Sequence, residues 1–84
     1  MFITASHLRA ARALLDMKQS EVAMEAGVSV PTLKRLESET HGPQRATSSN
    51  VEAVARVYIS RGVAFLFVDE DGGDGVRRTV GRSD

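Results

Sequence analysis

Three polar side chains on a short stretch of the chain have the types and spacing to bind a partner. Thr32, Lys34 and Arg35 supply a hydroxyl, an ammonium and a guanidinium, and Leu33 and Leu36 lie among them three residues apart. On a helix the two leucines share one face, while the three polar side chains point largely elsewhere. Because these groups are hydrogen-bond donors and cations, we expect noncovalent binding at this face.

The other reactive residue types lack the spacing that catalysis or metal binding needs. His7 and His41 are the only histidines, and neither belongs to a metal-ligand pair or to a recognisable nucleophile arrangement. The carboxylates form no pair suited to acid–base chemistry, and 84 residues leave little room for a substrate pocket. The sequence therefore predicts a protein that is not an enzyme and that needs no metal ion or cofactor.

An acidic, glycine-rich segment, DEDGGDG at residues 69–75, invites comparison with a calcium-binding loop. The EF-hand spacing fails, because Gly73 stands at the fifth ligand position and Val80 where the bidentate glutamate belongs. The glycines follow no strand-to-helix junction, which argues against a nucleotide site. We expect a flexible acidic hairpin loop.

The polar face must be positioned by the segment around it, residues 19–37, with the sequence QSEVAMEAGVSVPTLKRLE. Its small and apolar residues predict two short helices around a sharp turn, over residues 19–26 and 30 to about 38. Gly27 suits the left-handed conformation that commonly follows a helix. Ser29 can cap the second helix. This is a helix-turn-helix pattern.

The rest of the chain predicts two more helices and a hairpin. Apolar residues at helical spacing predict a first helix from residue 4 or 6 to about 17. Ser49 and Glu52 form a capping-box pattern at the start of a fourth helix, which ends before Gly62. Residues 63–68, VAFLFV, and the alternating residues 76–80 predict two strands of a β-hairpin.

Composition sets wide bounds on function. Eleven Lys and Arg balance eleven Asp and Glu, so no overall basic field indicates nucleic acid. The absence of cysteine suits a reducing cytosol. The sequence shows neither the pattern of a secretory signal nor an apolar run of membrane-spanning length. We expect a cytoplasmic protein with no membrane partner.

With these residues in view, the chain resembles the XRE (Cro/cI-like) family of bacterial and phage helix-turn-helix regulators across roughly residues 3–58. The resemblance rests on LRAARALLDMKQSEVAMEAGVSVPTLKRLE, in which a first helix bearing L-R-x-A-R precedes the glutamine that opens the second helix. It implies a mainly α, lambda-repressor-like bundle of four helices whose third helix enters the major groove of DNA. Residues 1–62 would form this domain, and residues 63–84 a C-terminal β-hairpin in the same compact unit.

The resemblance also implies DNA-binding positions. Gln19 matches a glutamine that braces a DNA phosphate and the start of the recognition helix. Arg35 matches an outward position from which arginine can bond bidentately to guanine. Arg45 lies in a loop that often touches the DNA backbone in relatives. The full set of expected DNA-binding residues is Gln19, Ser29, Val30, Pro31, Thr32, Lys34, Arg35 and Arg45.

Val30 and Pro31 depart from the family pattern, because many relatives place polar or basic side chains there. Neither side chain can donate a hydrogen bond, so each would contact a thymine methyl group or simply pack. Base recognition would then rest on Lys34, Arg35 and DNA shape. Arg35 has an alternative interpretation as an exposed residue paired with Glu39, four residues later.

The run VAFLFV is apolar on both strand faces, and a lone two-stranded hairpin is only marginally stable in water. One cover would be the first and fourth helices of the same chain. The other would be a second copy, through face packing or edge pairing across a two-fold axis. We expect a homodimer whose interface contains Val63, Phe65, Leu66, Phe67, Val68, Val76 and Val80.

The predicted function is sequence-specific binding of double-stranded DNA by a dimeric transcriptional regulator such as a repressor. The competing hypothesis is a protein-interaction module of helix-turn-helix shape that binds another regulator or a toxin. The zero net charge and the apolar residues Val30 and Pro31 favour this second hypothesis.

Overall fold

The computed structural model describes residues 2–43 and 46–79, and within them four helices precede a two-stranded antiparallel sheet. The helices are α1 (Ala5–Leu14), α2 (Gln19–Ala26), α3 (Val30–Leu36) and α4 (Ser48–Ser60), and the strands are β1 (Val63–Leu66) and β2 (Gly75–Arg78). The expected fold class, mainly α with a C-terminal β-hairpin, is confirmed. No helix in this part of the chain is long and apolar enough to cross a membrane.

The first helix begins with a reciprocal cap and ends earlier than expected. The Thr4 hydroxyl accepts a hydrogen bond from the His7 backbone amide (3.2 Å), and His7 Nδ1 accepts one from the Thr4 amide (3.0 Å). The helix ends at Leu14 rather than near Met17, because Asp16 adopts a left-handed conformation with φ 55°. That conformation turns the chain towards α2.

The turn between α2 and α3 follows the sequence prediction closely. Gly27 has φ 76°, a left-handed conformation that costs glycine little. Ser29 caps α3, and its hydroxyl accepts a hydrogen bond from the Thr32 amide at 3.1 Å. α3 ends at Leu36, slightly before the expected residue 38, and Glu37 is its C-terminal capping residue.

The start of α4 differs from the expected capping box. Thr47, not Ser49, is the capping residue, and its hydroxyl accepts a hydrogen bond from the Asn50 amide at 3.4 Å. Ser49 lies in the first turn of the helix. Serine and threonine both suit a cap, so local composition does not distinguish two candidates only two residues apart.

The core lies where the helices meet β1. Tyr58 is the largest of its fully buried side chains, and the set also contains Leu8, Val22, Leu33, Leu36, Val54 and Val63. Burial raises the pKa of the Tyr58 phenol well above its ordinary value, and the negative charge of Glu37 raises it further. Within the described residues, the Tyr58 hydroxyl has no hydrogen-bond partner.

One face of the hairpin packs on the helices of its own chain. Val63 lies opposite Arg78 in the sheet, and Phe65 lies opposite Val76. Val63 is buried, Phe65 and Val76 pack against the core, and Arg78 Nη2 donates to the Leu14 carbonyl at 2.8 Å. The first and fourth helices of the same chain therefore cover this face, and a dimer contact through Val63, Phe65 and Val76 stays a prediction.

Candidate nucleic-acid interface

The exposed face of α3 presents three of the residues expected to bind DNA. Pro31, Lys34 and Arg35 are exposed, whereas Leu33 and Leu36 are fully buried. Residues 31 and 35 are four apart, about one helical turn, and so lie on the same side of the helix. The helical period that buries the two leucines therefore also fixes which side chains face outward.

The other expected positions on α3 are less available. Val30 is half-buried and packs against the core, so of the two apolar positions only Pro31 is prominent on the surface. Thr32 is half-buried, and its Oγ1 accepts a hydrogen bond from the Ser29 hydroxyl at 2.8 Å. Ser29 is exposed, but its hydroxyl serves as the cap of the helix.

Arg35 is not in the ion pair that was its alternative interpretation. Glu39 instead bonds to Arg9 of α1, with Nη2 to Oε2 at 3.2 Å. Within residues 2–43 and 46–79, the Arg35 guanidinium makes no salt bridge. Its donors are therefore available to a partner.

A shallow cleft beside Arg35 separates α3 from the start of α4. Thr32, Arg35, His41 and Asn50 line it. The loop after α3 therefore lies close to the exposed helix face, as the DNA-binding hypothesis requires. Arg45, which was expected to touch the DNA backbone from this loop, lies outside the described residues.

The position of α3 is fixed by a buried carboxylate at its C-terminal end. Glu37 is 6% exposed, and it accepts two hydrogen bonds from Arg12, Nε to Oε2 at 2.8 Å and Nη2 to Oε1 at 2.9 Å. Gln19 Nε2 donates to the same Oε1 at 3.0 Å. The hydrogen bond to Glu37 raises the pKa of Arg12. One carboxylate thus joins α1, α2 and α3 through charge-assisted hydrogen bonds.

Gln19 was expected to brace a DNA phosphate and the start of the recognition helix, and in this structure its side chain instead meets the far end of α3. Its amide contacts Glu37, which follows the end of α3, because α2 begins beside that end. Gln19 is half-buried, so part of the side chain remains accessible. Its contact with a DNA phosphate stays a prediction.

Sequence reasoning missed the arginines that hold the end of α3. Arg9 Nη1 donates to the Glu37 carbonyl, and its Nη2 donates to the Ser6 hydroxyl at 3.2 Å. Arg9 and Arg12 are three residues apart, a spacing that places both on one face of α1. That spacing was the available signal, and it indicates a shared partner without identifying Glu37.

Leu66, Phe67 and Val68, which were also expected in a dimer interface, lie at the end of β1 and just after it. Leu66 and Phe67 are half-buried, and Val68 is 75% exposed. His7 ties this region to α1, because its Nε2 is 2.7 Å from the Leu66 carbonyl and its ring centroid is 5.2 Å from that of Phe67. Nδ1 accepts from the Thr4 amide, so Nε2 carries the proton and donates. Val80 lies outside the described residues.

Comparison with known proteins gives one family match. A family model described as helix-turn-helix, of the XRE type, matches residues 8–61 of the 84. The matched range starts within α1 and contains all of α2, α3 and α4. A search of curated proteins finds no match.

Proposed function

Because the chain belongs to the XRE-type helix-turn-helix family of DNA-binding regulators, we propose that it is a sequence-specific transcriptional regulator. It places α3 in the major groove of duplex DNA, as helix-turn-helix proteins do. The observation that carries this proposal is Arg35, exposed on α3 and free of ion pairs within the described residues. Its proposed place of action is the cytoplasm.

The charge distribution supports this orientation despite the zero net charge. Lys34 and Arg35 are exposed on α3, and Lys18 is exposed immediately before α2. Four exposed carboxylates lie in and beside the hairpin loop, on Asp69, Glu70, Asp71 and Asp74. DNA phosphates attract Lys34 and Arg35 and repel the acidic loop, so electrostatics favours an orientation in which α3, rather than the hairpin loop, meets the duplex.

A homodimer is the second part of the proposal. Ala64 and Leu66 lie on the face of β1 opposite Val63 and Phe65, because side chains alternate along a strand. This outer face, together with the exposed Val68, is the apolar part of the hairpin that the helices leave uncovered.

Charge complementarity supports a two-fold arrangement of these hairpins. The hairpin is acidic at its loop end and carries the exposed Arg77 in β2. When two hairpins lie antiparallel across a two-fold axis, the acidic end of each faces the basic side of the other. To bind two half-sites one turn of DNA apart, the dimer must hold its two copies of α3 about 34 Å apart.

Selection from a pool of random duplex DNA at moderate salt tests the proposed function. We expect enrichment of a palindrome whose half-sites are about one helical turn apart. Light scattering on the complex should give the mass of two protein copies per duplex. A pool that shows no enriched sequence contradicts the proposal, and a non-palindromic sequence bound by one copy removes the dimer from it.

A protein-interaction module remains the second candidate because apolar side chains are exposed away from α3. Met24 on α2 is 83% exposed, and Ile59 on α4 is 57% exposed. Single exposed apolar residues are common, so this observation is weaker than the family match. A photo-crosslinking residue at position 24 tests it. Capture of another regulator or a toxin there, without any DNA preference, would favour the interaction module.

A further inference from the structure

One turn before Arg35, the exposed face of α3 has an apolar residue, Pro31, instead of a hydrogen-bond donor. Pro31 is exposed, its ring has no polar atom, and its backbone nitrogen carries no hydrogen. The neighbouring hydroxyl of Ser29 accepts from the Thr32 amide (3.1 Å) and donates to Thr32 Oγ1 (2.8 Å). The polar groups around Pro31 are thus largely occupied within the helix cap.

This surface limits which base edge can lie against Pro31. In the major groove, purine N7, guanine O6 and thymine O4 need a donor, and the amino groups of adenine and cytosine need an acceptor. Pro31 offers neither. The methyl group at C5 of a pyrimidine is the largest apolar group on a base edge in the major groove, and the proline ring matches it chemically.

Resting on the proposed function, we propose that α3 recognises a 5-methylpyrimidine through Pro31, close to a guanine bound by Arg35. The two residues are four apart, which is roughly 6 Å along the helix axis at 1.5 Å per residue. Base pairs stack about 3.4 Å apart. The rise along the helix equals the height of about two base-pair steps, so we expect the two recognised bases within two base pairs of each other in each half-site. Thymine and 5-methylcytosine both present the required methyl group.

Base analogues test the inference on the enriched half-site. Each thymine is replaced in turn by deoxyuridine, which removes the methyl group and leaves the hydrogen-bonding edges unchanged. At one position, within two base pairs of the guanine recognised by Arg35, we expect affinity to fall about fourfold, the value of one buried methyl group. If no replacement near that guanine weakens binding, the inference is wrong.

Duplexes that contain cytosine or 5-methylcytosine test whether the methyl group is recognised in both bases or only in thymine. At the sensitive position, the thymine–adenine pair is replaced by cytosine–guanine and by 5-methylcytosine–guanine. Tighter binding of the methylated pair supports recognition of the methyl group in either base. Equal binding of the two pairs, together with the loss on deoxyuridine, supports recognition of thymine alone.

A protein variant assigns the effect to Pro31. For Pro31→Ser, we expect the affinity ratio between thymine and deoxyuridine DNA to fall from about four to about one. The Lys34→Ala control should weaken binding to both DNAs equally and keep the ratio. Because each variant is compared with itself on two DNAs, a change in folding does not alter the ratio. An unchanged ratio in Pro31→Ser overturns the assignment, whereas a pool without any enriched sequence refutes the proposed function instead.

Discussion

At the scale of single residues, the position of α3 depends on Glu37. This nearly buried carboxylate receives two hydrogen bonds from Arg12 and one from Gln19. Removing one partner of a buried ion pair leaves an uncompensated charge, which usually costs more than the intact pair contributes. Substitution of Arg12 should therefore destabilise the packing of α3, although neither Arg12 nor Glu37 lies on the face proposed to contact DNA.

Substitution of Arg12 tests this role. Arg12→Met keeps most of the aliphatic stem but leaves Glu37 without its cation. We expect the free energy of unfolding to fall by about 3 kcal/mol. Urea denaturation followed by circular dichroism measures the change. The control is Arg56→Met on the exposed surface of α4, which should change stability by less than about 0.5 kcal/mol. A loss below about 1 kcal/mol for Arg12→Met would contradict the role given to the pair.

The burial of Tyr58 can be tested by its titration. Because it is the only tyrosine in the chain, any phenolate absorbance reports on this residue. Burial raises its pKa in the folded state, so above the unfolded value of about 10 the unfolded chain releases a proton that the folded chain retains. The Tyr58 phenol should therefore leave the free energy of unfolding unchanged below pH 10 and lower it as the pH rises further. Ultraviolet absorbance should show no phenolate until the chain unfolds. In Tyr58→Phe, the alkaline loss should be smaller, and stability at neutral pH should not decrease by the usual value of a hydrogen bond, about 1 kcal/mol.

At the scale of the elements, the end of α1 carries local strain. Asp16 is exposed and has φ 55°, a conformation in which a Cβ is unfavourable. Asp16→Gly should raise stability by up to about 1 kcal/mol, or roughly 4–8 °C in Tm for a domain of this size. Asp16→Ala is the matched variant and should lower Tm. Calorimetry that gives the glycine variant a lower Tm than wild type would contradict this account.

The elements also show how far local sequence signals reach. The bounds of α2 and the cap of α3 followed from Gly27 and Ser29, because each acts on the backbone beside it. The cap of α4 could not be predicted in the same way, because Thr47 and Ser49 both carry a hydroxyl that can cap a helix. Arg12 and Glu37 are 25 residues apart, so only the folded arrangement of α1 and α3 brings them together. The exposure of Lys34 and Arg35 could be predicted from the helical period of α3. The contact of Gln19 with Glu37 could not, because it depends on how α2 packs against the end of α3.

At the scale of the whole molecule, the hairpin has two different faces. The inward face is part of the core, and the outward face with Val68 is the proposed dimer surface. Val68→Glu should weaken self-association at least tenfold without changing the circular dichroism spectrum, because the residue lies outside both strands. Met24→Glu adds the same charge to an exposed position on α2 and should leave association unchanged. Sedimentation that shows a monomeric wild type at high concentration would refute the dimer.

The central claim is that α3 recognises DNA bases through Arg35. The most direct measurement is the affinity of Arg35→Ala and wild type for the selected duplex and for duplexes with each base pair changed. We predict that Arg35→Ala loses about 1–3 kcal/mol and no longer discriminates at one guanine, while other positions keep their preference. Arg56→Ala, the control on α4, should bind as wild type does. If Arg35→Ala retains both the affinity and the preference at every base pair, the claim is contradicted.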